Sequence, residues 1–115
     1  MPRSPELQEH WDRVGAMPCV VCYRKPATIH HCHGGSMLEL GVHKGMNQKT
    51  SDWLVIPLAP EYHYLDPLGI DGQMGVHGWE KRFGRQSDFL DYVCMTLGIN
   101  VWKRAGIDRE VIGTC

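Results

Sequence analysis

The chain has 115 residues, which is the size of a single domain with one modest hydrophobic core. Hydrophobic residues make up 43% of the sequence, but apolar runs such as 54–56 are far too short to cross a bilayer, so we expect no membrane segment. The formal net charge of -1 argues against a protein that holds nucleic acid by bulk electrostatics, although a bound metal ion would add local positive charge.

The first predicted element is a helix over residues 5–15. Ser4 provides a capping hydroxyl and Pro5 occupies the first helical position, where its missing N–H costs nothing. A CxxC turn follows, formed by Cys19 and Cys22. The leading residues contain no apolar segment of a secretory signal, so we expect a cytoplasmic protein with reduced cysteines.

Two short strands are predicted next, separated by a long loop. Residues 27–32 form the first strand and contain the adjacent pair His30 and His31. Residues 34–51 are rich in Gly, Ser, Lys and Asn, which predicts a functional loop, and residues 52–58 form a second apolar strand.

The C-terminal half is predicted to be helical. A short helix begins at Pro60, and a glycine-rich loop leads through His77 to a second helix over residues 78–83. Ser87 caps a third helix that stops at Gly98, and a further turn surrounds the tryptophan at position 102. The sequence therefore predicts one α+β domain.

The adjacent histidines suggest a division of labour in catalysis. Neighbouring strand residues point to opposite faces, so His30 and His31 are not equivalent ligands of one metal ion. One can bind the ion while the other faces a reacting water, and a neutral imidazole is suited to be the general base at neutral pH. Additional ligands would come from His63 and His77. This chemistry fits hydrolysis of a phosphodiester.

An ordered series of motifs covers residues from about 16 to 95. The series consists of CxxC, of Ile29-His30-His31, of the segment 49–63 with its Ile-Pro-Leu, and of the segment 76–84, which contains His-Gly-Trp-Glu and ends in Phe-Gly. It resembles the phage and prophage HNH nucleases related to the recombination enhancement protein Ref, which are ββα-metal nucleases.

The resemblance implies a ββα-metal core, also called a His-Me finger, over residues of about 16–86, with a C-terminal helical part over 87–106. It implies that His30, His63 and His77 bind the catalytic ion and that His31 is the general base. The residue that braces the base corresponds to Asp52 or Asn47, and we favour Asp52. The expected ion is Mg²⁺, Mn²⁺ or Zn²⁺.

The resemblance also implies a DNA substrate, in recombination within a bacterial host cell, and a RecA-type filament as partner. Lys49 and Arg82 are the favoured contacts to DNA phosphates.

The sequence departs from the family pattern at a second, structural zinc site. Many relatives supply a Cys and a His where this chain has Ala59 and Tyr62. A site with only Cys19 and Cys22 does not complete a tetrahedral shell, so Cys32, together with His33, is a candidate to fill it. Alternatively, packing replaces this zinc site.

Two other functions compete with the nuclease. The first is a non-catalytic zinc-binding module that recognises nucleic acid or a protein, with the same histidines and cysteines serving stability. The second is a folded protein without a metal, in which His30 and His31 are ordinary strand histidines.

Overall fold

A computed structural model describes residues 3–23, 26–42 and 51–111. It has a compact α+β fold with a small two-stranded antiparallel sheet and several helices, which confirms the predicted class. The elements are α1 (Pro5–Ala16), β1 (Thr28–His31), α2 (Ser36–Glu39), β2 (Val55–Leu58), α3 (Pro60–His63), α4 (Gly75–Phe83), α5 (Gln86–Leu97) and α6 (Val101–Arg104).

Helix α1 begins as the sequence predicts. The Ser4 hydroxyl accepts a hydrogen bond from the Leu7 N–H at 3.2 Å, and Pro5 follows the cap. Leu7, His10 and Val14 recur at spacings of three and four and form the buried face. This face packs α1 against both strands.

The sheet places His30 and His31 on its two faces. Thr28 pairs with Leu58 and His31 pairs with Val55 in an antiparallel register. His30 is fully buried, whereas His31 is partly exposed. Both strands are shorter than predicted, and β2 begins late because residues 51–54 form a turn in which the Leu54 N–H donates to the Ser51 carbonyl.

The long predicted loop contains a helix in its described part. Helix α2 follows Gly35, whose φ of 48° is rare for residues with a side chain. Residues 43–50 lie outside the described part of the chain. The other predicted helices are present, with α4 beginning three residues earlier than expected and Gly98 ending α5 in a left-handed conformation.

The hydrophobic core lies where the helices cover the sheet. All four residues of β2 are buried, and the largest fully buried side chains in the described residues include Trp79 of α4 and Trp102 of α6. Among the described residues, no helix combines the length and apolar character needed to span a bilayer.

Candidate metal centre

His30 lies in the core with one ring nitrogen that lacks a hydrogen bond. It is 0% exposed, and its Nε2 lies 3.0 Å from Gln86 Oε1. Its Nδ1 lies 3.3 Å from Asp71 Oδ2 but has no hydrogen-bond partner of normal geometry. A buried polar atom without a partner is costly, which makes His30 Nδ1 a candidate ligand atom.

Three imidazoles surround the Asp71 carboxylate. Besides His30, His33 Nε2 lies 2.8 Å from Oδ1 and His63 Nε2 lies 3.2 Å from Oδ2. The candidate ligand atoms of His30, His33 and Asp71 all lie within 4.8 Å of one another. These three residues could hold a metal ion. We call this set, together with His63, the Asp71 cluster.

The surroundings of Asp71 favour its charged form. Partial burial raises the pKa of the carboxyl, but its contacts with the imidazoles of His30, His33 and His63 outweigh burial and hold the pKa well below its ordinary value. Side-chain exposure rises from 0% at His30 to 35% at Asp71. The Asp71 cluster therefore reaches from the core to a surface that solvent and a ligand can approach.

Backbone hydrogen bonds bring Asp71 next to His63. His63 is the last residue of α3, and its carbonyl accepts the Asp71 N–H at 2.8 Å. The Ile70 N–H donates to the Tyr62 carbonyl at 3.0 Å, so the loop after α3 folds back on that helix. His63 Nδ1 lies 2.6 Å from Thr28 Oγ1 on β1, and the His30 and His63 ring centroids are 5.1 Å apart.

Gln86 at the start of α5 supports the cluster from the core side. Its Oε1 accepts the His33 N–H at 3.1 Å, and its Nε2 donates to the His33 carbonyl at 2.8 Å and to Glu80 at 3.1 Å. Glu80 also accepts bonds from the Ser36 N–H and hydroxyl. Burial raises the pKa of Glu80, but the Gln86 backbone N–H, which donates to it at 2.9 Å, and the bonds from Ser36 and the Gln86 side chain lower it overall. This half-buried carboxylate ties α2, α4 and α5 to the end of β1.

His31 belongs to a separate pair on the other face of β1. Its Nε2 lies 2.8 Å from Asp52 Oδ1, and the edge of the Trp11 ring packs against the imidazole. The Trp11 indole N–H donates to the Asp52 carbonyl at 2.8 Å, which holds the Asp52 segment in place. Asp52 thus contacts the imidazole that the sequence assigned as the base.

The structure does not bring all predicted site residues together. His77 is exposed in the first turn of α4, and it is not in the group of three candidate ligands found among the described residues. Arg82 is exposed on α4, with its guanidinium 5.5 Å from the Phe83 ring centroid. Lys49 and Asn47 lie outside the described residues.

The cysteines expected to bind structural zinc do not form a recognisable site in the described part of the chain. Cys19 and Cys32 are fully buried in the hydrophobic core, and Cys22 is half-buried at its edge. The candidate metal group found there contains no cysteine. Burial raises the pKa of Cys32 well above its ordinary value, with Glu80 and Asp71 adding to the effect, so its neutral thiol is favoured over the thiolate that binds zinc.

Sequence reasoning missed three residues of this site, and it considered a fourth, His33, only for the structural zinc site. Asp71 and His33 have only weak signals, since one lies in a glycine-rich loop and the other follows the predicted strand. Gln86 and Thr28 carry no chemical motif at all, and their contacts with the cluster appear only in the folded chain.

Comparison of the chain with family models, with curated proteins and with solved structures gives no match.

Proposed function

We propose that this protein is a metal-dependent endonuclease of the HNH type that hydrolyses phosphodiester bonds in DNA. In this proposal β1, β2 and α3 form the ββα-metal core. The observation that carries it is the convergence of His30, His33 and Asp71 on one surface-accessible point, with His63 contacting the same carboxylate. The unpartnered Nδ1 of the buried His30 fits a cation at that point.

The donor set narrows the choice of ion. Imidazole nitrogens suit Zn²⁺ better than Mg²⁺, which prefers oxygen ligands, and the Asp71 carboxylate is also compatible with Mn²⁺. A divalent ion held by the Asp71 cluster would polarise the scissile phosphate and stabilise the leaving oxygen.

His31 is the proposed general base. If its Nε2–H donates to Asp52, its Nδ1 carries the lone pair that accepts a proton from water. The Asp52 carboxylate then orients the ring and stabilises the imidazolium that forms. The His31 side chain is 20% exposed, so water can reach it.

The sequence resemblance supports DNA as the substrate and a RecA-type filament as a partner. Arg82 is exposed on α4 and is available to a phosphate, whereas Lys49, the other expected phosphate contact, lies outside the described residues. In this proposal, the bound metal ion and these basic side chains attract the DNA phosphates, since the protein as a whole is not strongly basic.

A cleavage assay across a metal series tests the proposal. Plasmid and single-stranded DNA are incubated with the parent protein, His31→Ala and His30→Ala, each with Mn²⁺, Mg²⁺ or Zn²⁺. We expect His31→Ala to bind metal normally and cleave at least about 100-fold more slowly, since a general base contributes that much. His30→Ala should lose metal. Cleavage by His31→Ala at the parental rate would show that the base is assigned incorrectly.

A second candidate is a non-catalytic metal-binding module. The observation that favours it is the position of His31, which lies on the opposite face of β1 from the Asp71 cluster. This alternative predicts stoichiometric metal, unfolding on chelation and no cleavage of either DNA substrate by the parent protein.

A further inference from the structure

The orientation of the Gln86 side-chain amide is fixed by the backbone of a single residue. The His33 carbonyl can only accept a hydrogen bond, so the Gln86 atom 2.8 Å from it is the NH₂ group. The His33 N–H can only donate, so the Gln86 atom 3.1 Å from it is the oxygen. These two bonds exclude the flipped amide.

The fixed Gln86 oxygen determines which His30 nitrogen carries hydrogen. Oε1 is an acceptor, and His30 Nε2 lies 3.0 Å from it. His30 therefore donates through Nε2, and the neutral ring keeps its lone pair on Nδ1, the atom beside Asp71.

The Thr28 hydroxyl fixes the tautomer of His63 in the same way, and this tautomer is the opposite of that of His30. The Thr28 hydroxyl has one hydrogen, and it is donated to the Leu58 carbonyl at 2.7 Å across the sheet. Thr28 Oγ1 can then only accept from His63 Nδ1, which lies 2.6 Å away. The neutral His63 ring keeps its lone pair on Nε2, which also lies beside Asp71.

Two imidazole lone pairs thus face the same carboxylate oxygen. Asp71 Oδ2 lies 3.3 Å from His30 Nδ1 and 3.2 Å from His63 Nε2. Three acceptors in contact repel one another unless positive charge lies between them. We propose that Gln86 and Thr28 are positioning residues that select opposite tautomers of His30 and His63, so that Nδ1 of the first and Nε2 of the second face the divalent cation that the Asp71 cluster holds.

This inference deepens the proposed function, since it rests on the metal binding at the Asp71 cluster. Outer-shell partners of this kind fix ring orientation and raise the basicity of the ligand. They are supplied here by β1 for His63 and by the first residue of α5 for His30.

Nitrogen-15 NMR of the zinc-loaded protein, labelled at histidine, tests the tautomers directly. We expect the His30 ring to carry hydrogen on Nε2 and to bind zinc through Nδ1, and the His63 ring to show the reverse. A zinc-bound His30 with hydrogen on Nδ1, or a zinc-bound His63 with hydrogen on Nε2, would overturn the proposal. So would a failure of the parent protein to bind zinc.

A matched pair of variants tests the positioning role of Thr28. Thr28→Val has the same shape without the hydroxyl, and Thr28→Ser keeps the hydroxyl without the methyl. Zinc affinity is measured by competition with a chromophoric chelator, and folding is checked by circular dichroism. We expect affinity to fall about 10- to 100-fold in Thr28→Val, as for outer-shell partners, and to stay close to the parental value in Thr28→Ser.

The outcomes separate this inference from the nuclease proposal. Parental zinc affinity in folded Thr28→Val overturns the positioning role, whatever the cleavage assay shows. If Thr28→Val does not fold, the NMR measurement on the parent protein still decides the tautomers. Zinc bound with the expected tautomers but without DNA cleavage overturns the nuclease and leaves this inference standing.

Discussion

The carboxylate of Asp71 is contacted by three imidazoles, those of His30, His33 and His63. Its two oxygens divide the contacts, with His33 on Oδ1 and both His30 and His63 on Oδ2. A neutral side chain of the same shape could not neutralise a cation there. We therefore expect the Asp71 carboxylate, and not the His77 imidazole, to be a ligand beside the histidines of the Asp71 cluster.

A pair of substitutions compares Asp71 with His77. We expect Asp71→Asn to weaken Zn²⁺ or Mn²⁺ binding by more than the ~100-fold typical of an outer-shell partner, because it removes the charge that meets the ion. His77→Ala should bind metal as the parent does, since His77 is exposed on α4. Isothermal titration calorimetry measures both. Metal loss in His77→Ala with retention in Asp71→Asn would restore the ligand set implied by the sequence resemblance.

The predictable part of the candidate site is the part that local patterns encode. His30 and His31 follow from the strand period, which puts neighbours on opposite faces, and the structure has them so. Gln86 could not be predicted, because its bond to His30 joins residues 56 positions apart and depends on how α5 packs. Asp71 depends likewise on the loop that folds back onto α3.

At the scale of elements, hydrophobic patterns located each strand but not its ends. The apolar run over 52–58 predicts a strand, yet its first residues form a turn, and pairing begins at Val55. The turn is favoured because the Asp52 side chain contacts His31 and its carbonyl accepts the Trp11 indole N–H. Periodicity alone contains no information on such contacts.

Helix α2 could not be predicted, since its stability comes from tertiary contacts. It has four residues and follows two glycines, a pattern typical of a loop. Its first N–H, from Ser36, donates to Glu80 of α4 at 2.9 Å, and the Ser36 hydroxyl donates to the same carboxylate. The Glu80 carboxylate thus accepts a hydrogen bond from a backbone N–H at the start of the helix, as the side chain of an N-cap residue would.

A glycine pair tests how closely α2 approaches α4. A Cβ at Gly35 would lie 2.3 Å from Glu80 Oε1, and φ there is 48°, whereas Gly98 has φ of 71° with nothing within 4 Å. We expect Gly98→Ala to lower the free energy of unfolding by about 1 kcal/mol, from its left-handed backbone alone. Gly35→Ala should lower it by about 2 to 4 kcal/mol, because displacement of Glu80 adds to the backbone strain.

Urea unfolding of the two alanine variants measures the difference. Equal losses in Gly35→Ala and Gly98→Ala would show that Glu80 moves aside at no cost, and that its bonds to Ser36 contribute little to stability.

At the scale of the whole molecule, the α+β class was predictable because helical and strand periods alternate clearly along the chain. The packing of the C-terminal helices was not. Trp102 of α6 is buried and its indole N–H donates to Asp91 of α5 at 2.9 Å, while Arg104 pairs with Glu6 of α1. These contacts bring the two ends of the described chain together and shape a cavity of about 180 Å³ between α1 and α6.

His10 lies at this cavity and couples the fold to pH. It is 2% exposed, and neither ring nitrogen has a hydrogen-bond partner of normal geometry. Burial lowers its pKa from 6.5 to about 4, and the Arg13 and Arg104 guanidiniums add to this, whereas the nearby Trp53 backbone opposes it. The charged residues that line the cavity with His10 are Glu6, Glu9, Arg13 and Arg104.

The sign of the pH effect follows from the lowered pKa. Between pH 6.5 and 4, His10 is protonated in the unfolded chain but stays neutral in the folded chain. The stability that depends on neutral His10 is therefore complete above pH 6.5 and is lost as the pH falls towards 4. We expect a loss of about 2 to 3 kcal/mol in unfolding free energy over this window. Urea unfolding at several pH values compares the parent with His10→Leu, which has no titrating ring and should show a flatter profile. Parallel profiles for the two proteins would mean that His10 accepts a proton in the folded state and that the cavity between α1 and α6 opens to admit it.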